Sequence, residues 1–297
     1  MKHAYLITAN GNFSVLNSCL KMLDYESNDI YITFDKKIIK RDDDVRNIIT
    51  PLAKANLDID FQVINWGGYS QVSVVLSMIE TAVSSGTKYS YIHFLQNSDL
   101  PIKRNEDILR FFVKFAGFEF VNVESNGTAW AEKCCRYRYF LSHNRFYRTN
   151  KILKGINIYM ANLQKWFGLA KNTDIPLYYG SALFSITYEF AKYLVEKKPE
   201  IKERFRWALA PDEKFIQTMV MNSPFANRLI KIGSHSTSNA VLIDWNRSRS
   251  KNSPHVWEKE EFDYIISQSD NNCYARKFME NVDPDIVERI RDYLYTI

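Results

Sequence analysis

Over its first 125 residues the chain alternates short apolar runs with stretches whose apolar residues recur at helical spacing. Ala4–Ala9 (AYLITA) reads as a strand that ends at an Asn10-Gly11 turn signal. Phe13–Leu23 carries a helical repeat, and Asp29–Phe34 (DIYITF) is a β-rich run that stops at Asp35. A charged helix is expected over Asp43–Ala55, a strand over Phe61–Ile64 and an amphipathic helix over Ser70–Val83. Tyr89–Leu95 (YSYIHFL) reads as a buried strand, Asn105–Phe115 as a helix and Glu119–Val123 as a strand. Parallel neighbours need a crossover that covers one face of the sheet. The alternation therefore predicts an α/β fold, a mostly parallel sheet flanked by helices. Ligands bind such sheets past the carboxyl ends of the strands. Thr8–Asn10, Asp35–Lys37, Trp66–Gln71 and Gln96–Pro101 lie there.

The order changes after residue 125. Ser125–Asp174 is basic, aromatic and loop-rich. Tyr178–Ile186 is a strand candidate, Glu189–Trp207 a long helix with a break at Pro199, and Asp212–Met221 a short helix. Glu260–Ser267 and Pro284–Leu294 are the last two helices. No Pro/Gly/Ser-rich linker, repeat or low-complexity segment divides the chain. The 297 residues are read as a single domain, 1–124 forming one half and 125–297 the other. The N-terminal apolar run ends at Ala9, too short for a signal sequence. No stretch approaches the roughly 20 apolar residues of a membrane-spanning helix. Cys19, Cys134, Cys135 and Cys273 show no metal or redox spacing, which suits a reducing compartment. A cytoplasmic protein is expected. The net charge of +5 is too mild to argue for nucleic acid.

Several constellations could carry chemistry. Ala210-Pro211-Asp212-Glu213 places two acids at a helix start, where proline is tolerated and acids complement the dipole. Glu213 is a candidate general base there, but both acids also suit a plain helix cap, and the local pattern leaves the two readings open. Asp99 follows a buried strand in Gln96–Lys103 and is the one acid of that loop. Asp58-Ile59-Asp60 has the spacing of a metal pair but precedes its expected strand, and Asp42-Asp43-Asp44 begins a charged helix. Neither is read as a metal site. Arg276-Lys277 is a candidate for anion stabilisation or, equally, a solvated pair. Trp66-Gly67-Gly68-Tyr69-Ser70 is a glycine turn before a helix N-terminus, a usual place for anion contact. His93 is read as a packed core residue.

Six motifs stand in order along nearly the whole chain: IYITFDKK (Ile30–Lys37), WGGYSQV (Trp66–Val72), IHFLQNSDLPIK (Ile92–Lys103), YGSALF (Tyr179–Phe184), PDEKFIQT (Pro211–Thr218) and YARKF (Tyr274–Phe278). Together they resemble the core-2/I-branching enzyme family of glycosyltransferases. The resemblance implies a GT-A-type, Rossmann-like fold and an inverting, metal-independent transfer from a UDP-sugar. The implied donor is UDP-GlcNAc, used in β-1,6 linkage on a glycan acceptor in bacterial surface polysaccharide synthesis. Xylose or galactose remains open, because no readable residue selects the sugar, as does a carbohydrate-binding homologue without catalysis.

By the same resemblance Glu213 is the general base, Lys277 stabilises the diphosphate, Asp35 contacts the nucleotide and Gly180-Ser181 lies on the acceptor strand. The expected donor set further includes Thr8, Asn10, Gly67, Ser70, Asp99, His255 and Arg276. The acceptor set includes Asp212, Arg136 and Arg138. No metal and no cofactor beyond the UDP-sugar is expected. Animal members are membrane-anchored, disulfide-containing Golgi proteins with a further arginine on the diphosphate. This chain resembles a bacterial cytoplasmic form, and Arg247, Arg249 and His255 lie in the region of that arginine. A glycoside hydrolase would need two opposed acids, which the neighbours Asp212 and Glu213 do not supply.

Residues 133–154 carry seven Lys/Arg and no acid, and Ile152–Leu169 is apolar and lightly basic with Trp166 and Phe167. Two readings stay open. One is a helix in the interface of the inner membrane face, near a lipid-linked glycan acceptor. The other is a helix packed on the domain, with solvated cations.

Overall fold

The computed structural model describes residues 1–39, 44–45, 48–231, 237–250 and 253–295. In chain order its elements begin with β1 (His3–Ala9), α1 (Phe13–Leu23), β2 (Asn28–Asp35), β3 (Asn56–Gln62), α2 (Ser70–Ser84), β4 (Tyr91–Gln96), β5 (Asp99–Pro101) and α3 (Asn105–Lys114). There follow β6 (Phe120–Val121), α4 (Thr128–Cys135), α5 (Lys151–Trp166), β7 (Phe184–Thr187), α6 (Tyr188–Glu196), α7 (Lys198–Phe205) and α8 (Phe215–Met221). The last are β8 (Val241–Ile243), α9 (Phe262–Ser267), β9 (Tyr274–Arg276) and α10 (Asp285–Tyr295). They form two compact units, each discontinuous in sequence. One comprises residues 1–62, 88–117 and 240–297, the other 63–87 and 118–239. The expected division at 124/125 falls inside the second unit.

The first unit is built on four parallel strands in the order β3-β2-β1-β4. Every residue of β2 is buried, as a strand covered on both faces requires. β3 is the edge and alternates exposed with partly covered residues. Asp58 and Asp60 therefore lie within this strand, on its outward side, rather than before it. The strand expected at Phe61–Ile64 begins earlier because its charged residues are tolerated at an edge. The helix expected over Asp43–Ala55 is not continuous. Asp42 and Asp43 lie outside the described residues, and Ala53, Lys54 and Ala55 donate their amides to the Asp24 carboxylate instead of to a helical ladder. His93 is wholly buried between Tyr5 and Phe112, and burial holds its imidazole well below the ordinary range.

The Asn10-Gly11 turn leaves β1 with Gly11 at φ 125, a conformation open to glycine. Asn12 then ties the turn down: its side-chain amide donates to the carbonyls of Asn97 and Phe278, and its oxygen accepts from the Glu280 amide. A small second sheet, β5-β9-β8, is a feature that sequence periodicity missed, since each strand has three residues. Its antiparallel register sets Asp99 opposite Arg276. Trp257 backs β9, donating from its indole nitrogen to the Arg276 carbonyl at 2.8 Å and from its amide to the Lys277 carbonyl at 3.0 Å.

In the second unit α2 packs on α6, and β6 pairs antiparallel with β7, which leads directly into α6. Of the expected strand Tyr178–Ile186 only residues 184–186 are regular, as part of β7. The long helix expected over Glu189–Trp207 is two helices, because Pro199 starts α7 rather than continuing α6. Glu119 is fully buried at the α6 N-terminus, where it accepts from the Thr187 amide at 2.8 Å and hydroxyl at 2.6 Å. Burial pushes its carboxyl up to about 7. The stretch read as loop-rich contains α4 and α5. All four cysteines are buried free thiols. No helix among the described residues is long and apolar enough to cross a membrane.

Trp257 is fully buried, so Trp257→Ala removes both a large side chain and the donor that holds β9. A loss of about 3–5 kcal/mol in unfolding free energy is expected, read by urea denaturation.

Candidate active site

Of the expected donor-side residues, Gly67 and Ser70 belong to the second unit, and the others belong to the first, at the carboxyl ends of the parallel strands and on or near β9. Thr8 is partly covered near the end of β1, and Asn10 is exposed just beyond it. Asp35 ends β2. Its side chain is almost fully buried, accepting from the Lys37 amide at 3.1 Å and pairing with the Lys37 ammonium at 3.1 Å. Asp99 is wholly buried, and a buried carboxylate without a counter-charge is strongly unfavourable. Arg276 supplies that charge at 2.6 Å and places its other terminal nitrogen 2.7 Å from the Gln96 side-chain oxygen. Burial pushes the Asp99 carboxyl up, opposed by Arg276 and the Gln96 amide. Arg276 is thus committed to Asp99. Lys277, next along the chain, reaches the Ser253 hydroxyl at 3.4 Å.

The other cations near Lys277 in sequence are also engaged. Arg247 pairs with Asp244 at 2.5 Å and Glu261 at 2.6 Å, and Arg249 approaches Glu258 at 3.4 Å. His255 meets Glu261 at 2.8 Å. Among the described residues no three His, Cys, Asp or Glu side chains cluster as a metal site.

In the second unit the Pro-Asp-Glu segment is a single 3-10 turn, Pro211–Glu213, followed by α8. The turn starts from Ala210 at φ 45, a left-handed conformation that costs a residue with a Cβ about 1–2 kcal/mol. Contacts on both sides hold it there. The Ala210 amide donates to the Gly67 carbonyl at 2.9 Å, and the Lys214 ammonium donates to the Ala210 carbonyl at 3.0 Å. Lys214 is fully buried, 3.3 Å from Glu213 Oε2 and over the rings of Trp130 and Tyr179 at 5.6 and 5.1 Å. Glu213 Oε1 makes no hydrogen bond among the described residues, and the side chain is 37% exposed. The carboxylate is therefore anchored through one oxygen and open at the other, the arrangement a proton acceptor needs.

Gly180 and Ser181 lie against this turn. The Gly180 amide donates to the Glu213 carbonyl at 3.0 Å. A Cβ on Gly180 would overlap the Asn122 carbonyl, so the close backbone approach demands glycine. Asn122 accepts from the Ser181 amide at 2.9 Å, and Gln217 donates to the Ser181 carbonyl at 2.6 Å. Asp212 Oδ2 accepts from Gln71 at 2.9 Å, while Gln71 accepts from the Gly67 amide at 2.5 Å. Gly67 is thereby linked to Asp212. Ser70 turns back on Asn65, accepting from its amide at 2.8 Å. Arg136 pairs with Glu132 at 2.7 Å and also binds the Asn172 carbonyl, whereas Arg138 is exposed.

Lys214, Trp130, Tyr179, Asn122 and Gln217 were missed by sequence reasoning, and Gln71 entered only as the end of the Trp66–Gln71 stretch. Adjacency was the one available signal for three of the five, since Lys214 and Gln217 belong to PDEKFIQT and Tyr179 to YGSALF, and nothing in the motifs pointed to Trp130 or Asn122.

Asp212 Oδ1 is buried without a hydrogen-bond partner. Its carboxyl is pushed up to about 7, first by burial and then by the Glu213 charge. The folded protein then holds a proton that the unfolded chain, at 3.8, has lost. This stabilisation is complete below the unfolded value and is lost as pH rises towards 7. Asp212→Asn should therefore gain stability relative to the parent protein between pH 4 and 7 and change little above, as read by urea denaturation across that range. Glu119 is present in both proteins and cancels. A pH-independent difference would mean that Asp212 titrates as an ordinary carboxylate.

The model of the family described as "Branch: Core-2/I-Branching enzyme" matches residues 3–269. That span takes in five of the six motifs and ends before Tyr274–Phe278. Xylosyltransferase 2 of Rattus norvegicus is 22% identical over 98% of this chain and 33% of that protein. Xylosyltransferase 1 of Homo sapiens is 20% identical over 98% of this chain and 30% of that protein. The chain thus spans about a third of the length of these curated relatives. The apo structure of the WbbM bifunctional glycosyltransferase aligns with a TM-score of 0.46 at 11% identity, over 99% of this chain and 51% of that one. With its family match extending from residue 3 to 269, the chain belongs to the core-2/I-branching enzyme family of glycosyltransferases.

Proposed function

We propose that this protein is an inverting, metal-independent glycosyltransferase that moves a sugar from a UDP-sugar to a hydroxyl of a glycan acceptor. The observation that carries the reading is Glu213, held by its backbone to Gly180 and by one carboxylate oxygen to Lys214, with the other oxygen open. The family match covers this motif. In the proposed reaction Glu213 takes the proton from the acceptor hydroxyl as that oxygen attacks the anomeric carbon. The bond to the diphosphate breaks on the opposite face, which inverts the configuration. Lys277 stabilises the departing UDP, and Asp35, Thr8 and Asn10 contact the nucleotide. Gly180, Ser181, Asp212 and Arg138 serve the acceptor side.

GlcNAc is the donor implied by the resemblance of the motifs. The second reading is xylose, which the names of the relatives favour. An acceptor in bacterial surface polysaccharide, free or lipid-linked, fits either. UDP release, measured with and without acceptor across UDP-GlcNAc, UDP-xylose and UDP-galactose, separates these donors. Release that never depends on acceptor would mean hydrolysis of the donor by water, and no release under any condition would leave a binding protein rather than a transferase.

Glu213→Gln preserves shape and removes basicity. It should lower turnover by roughly 10²-fold or more, and unchanged turnover would remove Glu213 from the role of base. Lys277→Ala should also lose turnover, while the parent enzyme keeps its activity in EDTA. A strict requirement for Mn²⁺ or Mg²⁺ would contradict the metal-independent mechanism.

A further inference from the structure

Helix α5 is turned inside out. Its inward side is polar or small: Asn157 and Ala161 are buried, the Asn157 oxygen accepts from the Leu141 amide, and Gln164 bonds both the amide and the carbonyl of Arg138. Its outward side carries Ile152, Ile156, Tyr159 and Trp166, which are 72%, 44%, 63% and 78% exposed. With Leu163 these residues follow one another at intervals of four and three, which places them on one helix face. Phe167 and Leu169 extend the apolar surface past the helix end, at 64% and 53% exposure. A contiguous apolar face of this kind marks an interaction surface.

Charge identifies what it meets. Residues 133–173 hold nine Lys/Arg and no Asp or Glu. Arg145 and Arg148 are exposed just before α5, Lys151 and Lys154 occupy its first turn and Lys165 its last. None of these five is in an ion pair among the described residues. Two sit where the helix dipole disfavours a cation, so folding alone gives no reason for them. A second copy docked on this face would bring like charges together. An anionic bilayer would take up the apolar stripe and neutralise the cations at once.

We infer that α5 docks the protein on an anionic lipid surface, lying in the interface with Ile152, Ile156, Tyr159 and Trp166 in the acyl boundary and the cations among the headgroups. This inference does not depend on the transfer reaction, because binding is measured without a sugar donor.

The test is co-sedimentation of the full chain with phosphatidylcholine vesicles, with and without phosphatidylglycerol, at low and high salt. Binding should require phosphatidylglycerol and weaken as salt screens the charges. Replacing Arg145, Arg148, Lys151 and Lys165 by Gln should weaken it about fivefold per cation. The double variant Ile152→Ser, Trp166→Ser should weaken it about tenfold or more. Both variants change exposed side chains, and circular dichroism confirms that they fold. Absence of binding to the anionic vesicles, or unchanged binding by both variants, overturns the inference. A lipid-free dimer in sedimentation velocity that Trp166→Ser abolishes would assign the face to a second copy instead.

Discussion

A carboxylate with no exposure at all must meet a counter-charge, and Asp99 meets Arg276. That pair organises one end of the first unit. It fixes the register of β5 against β9, draws Gln96 in as a second partner for the guanidinium and presents the backbone that Trp257 then grips. Lys277 follows directly in the chain, so its position is inherited from a buried ion pair and a buried indole. A late lysine proposed to meet a diphosphate gains from such a base, because a cation whose backbone is fixed at a strand end loses less freedom when the anion arrives.

The second unit solves a different problem with backbone. Glu213 lies on a turn of three residues that starts from a left-handed alanine, a conformation unstable by itself. The Gly67 carbonyl, the buried Lys214 ammonium and the Gly180 amide each take one backbone group of the segment. Three separate motifs thereby converge on one carboxylate. Asp212 is held partly out of water next to Glu213, which explains why its proton is retained to about 7. The two adjacent acids sit in different surroundings: Asp212 Oδ1 is buried without a partner, whereas Glu213 keeps one oxygen open.

How much of this the sequence disclosed follows from the length scale of each feature. The parallel strands were legible because β1, β2 and β4 are continuous apolar runs, and the helices α1 and α2 because their periodicity extends over three turns or more. The sheet β5-β9-β8 was not, since three residues have no measurable period and its pairing joins residues far apart in the chain. The same holds for the site. Glu213 and Gly180 could be named from motifs, but the partners that fix them could not. Asn122 meets Gly180 through its carbonyl, a group every residue carries, and Lys214 looks like any surface lysine until its burial is known. Asp99 and Arg276 were each legible as charged residues near a strand end; their mutual neutralisation is a tertiary fact.

Departures from ordinary local rules are informative in a chain whose other choices agree. Helix α1 buries its apolar face and α10 does likewise, so this sequence follows amphipathic patterning where packing governs. Helix α5 reverses the pattern and adds cations to the end of the helix that resists them. Its own fold does not require either choice, because Asn157 and Gln164 already secure it through side-chain hydrogen bonds. Polar anchoring frees the outer face from any structural duty, and a face released from packing is where an apolar stripe with its own charge can be devoted to another surface.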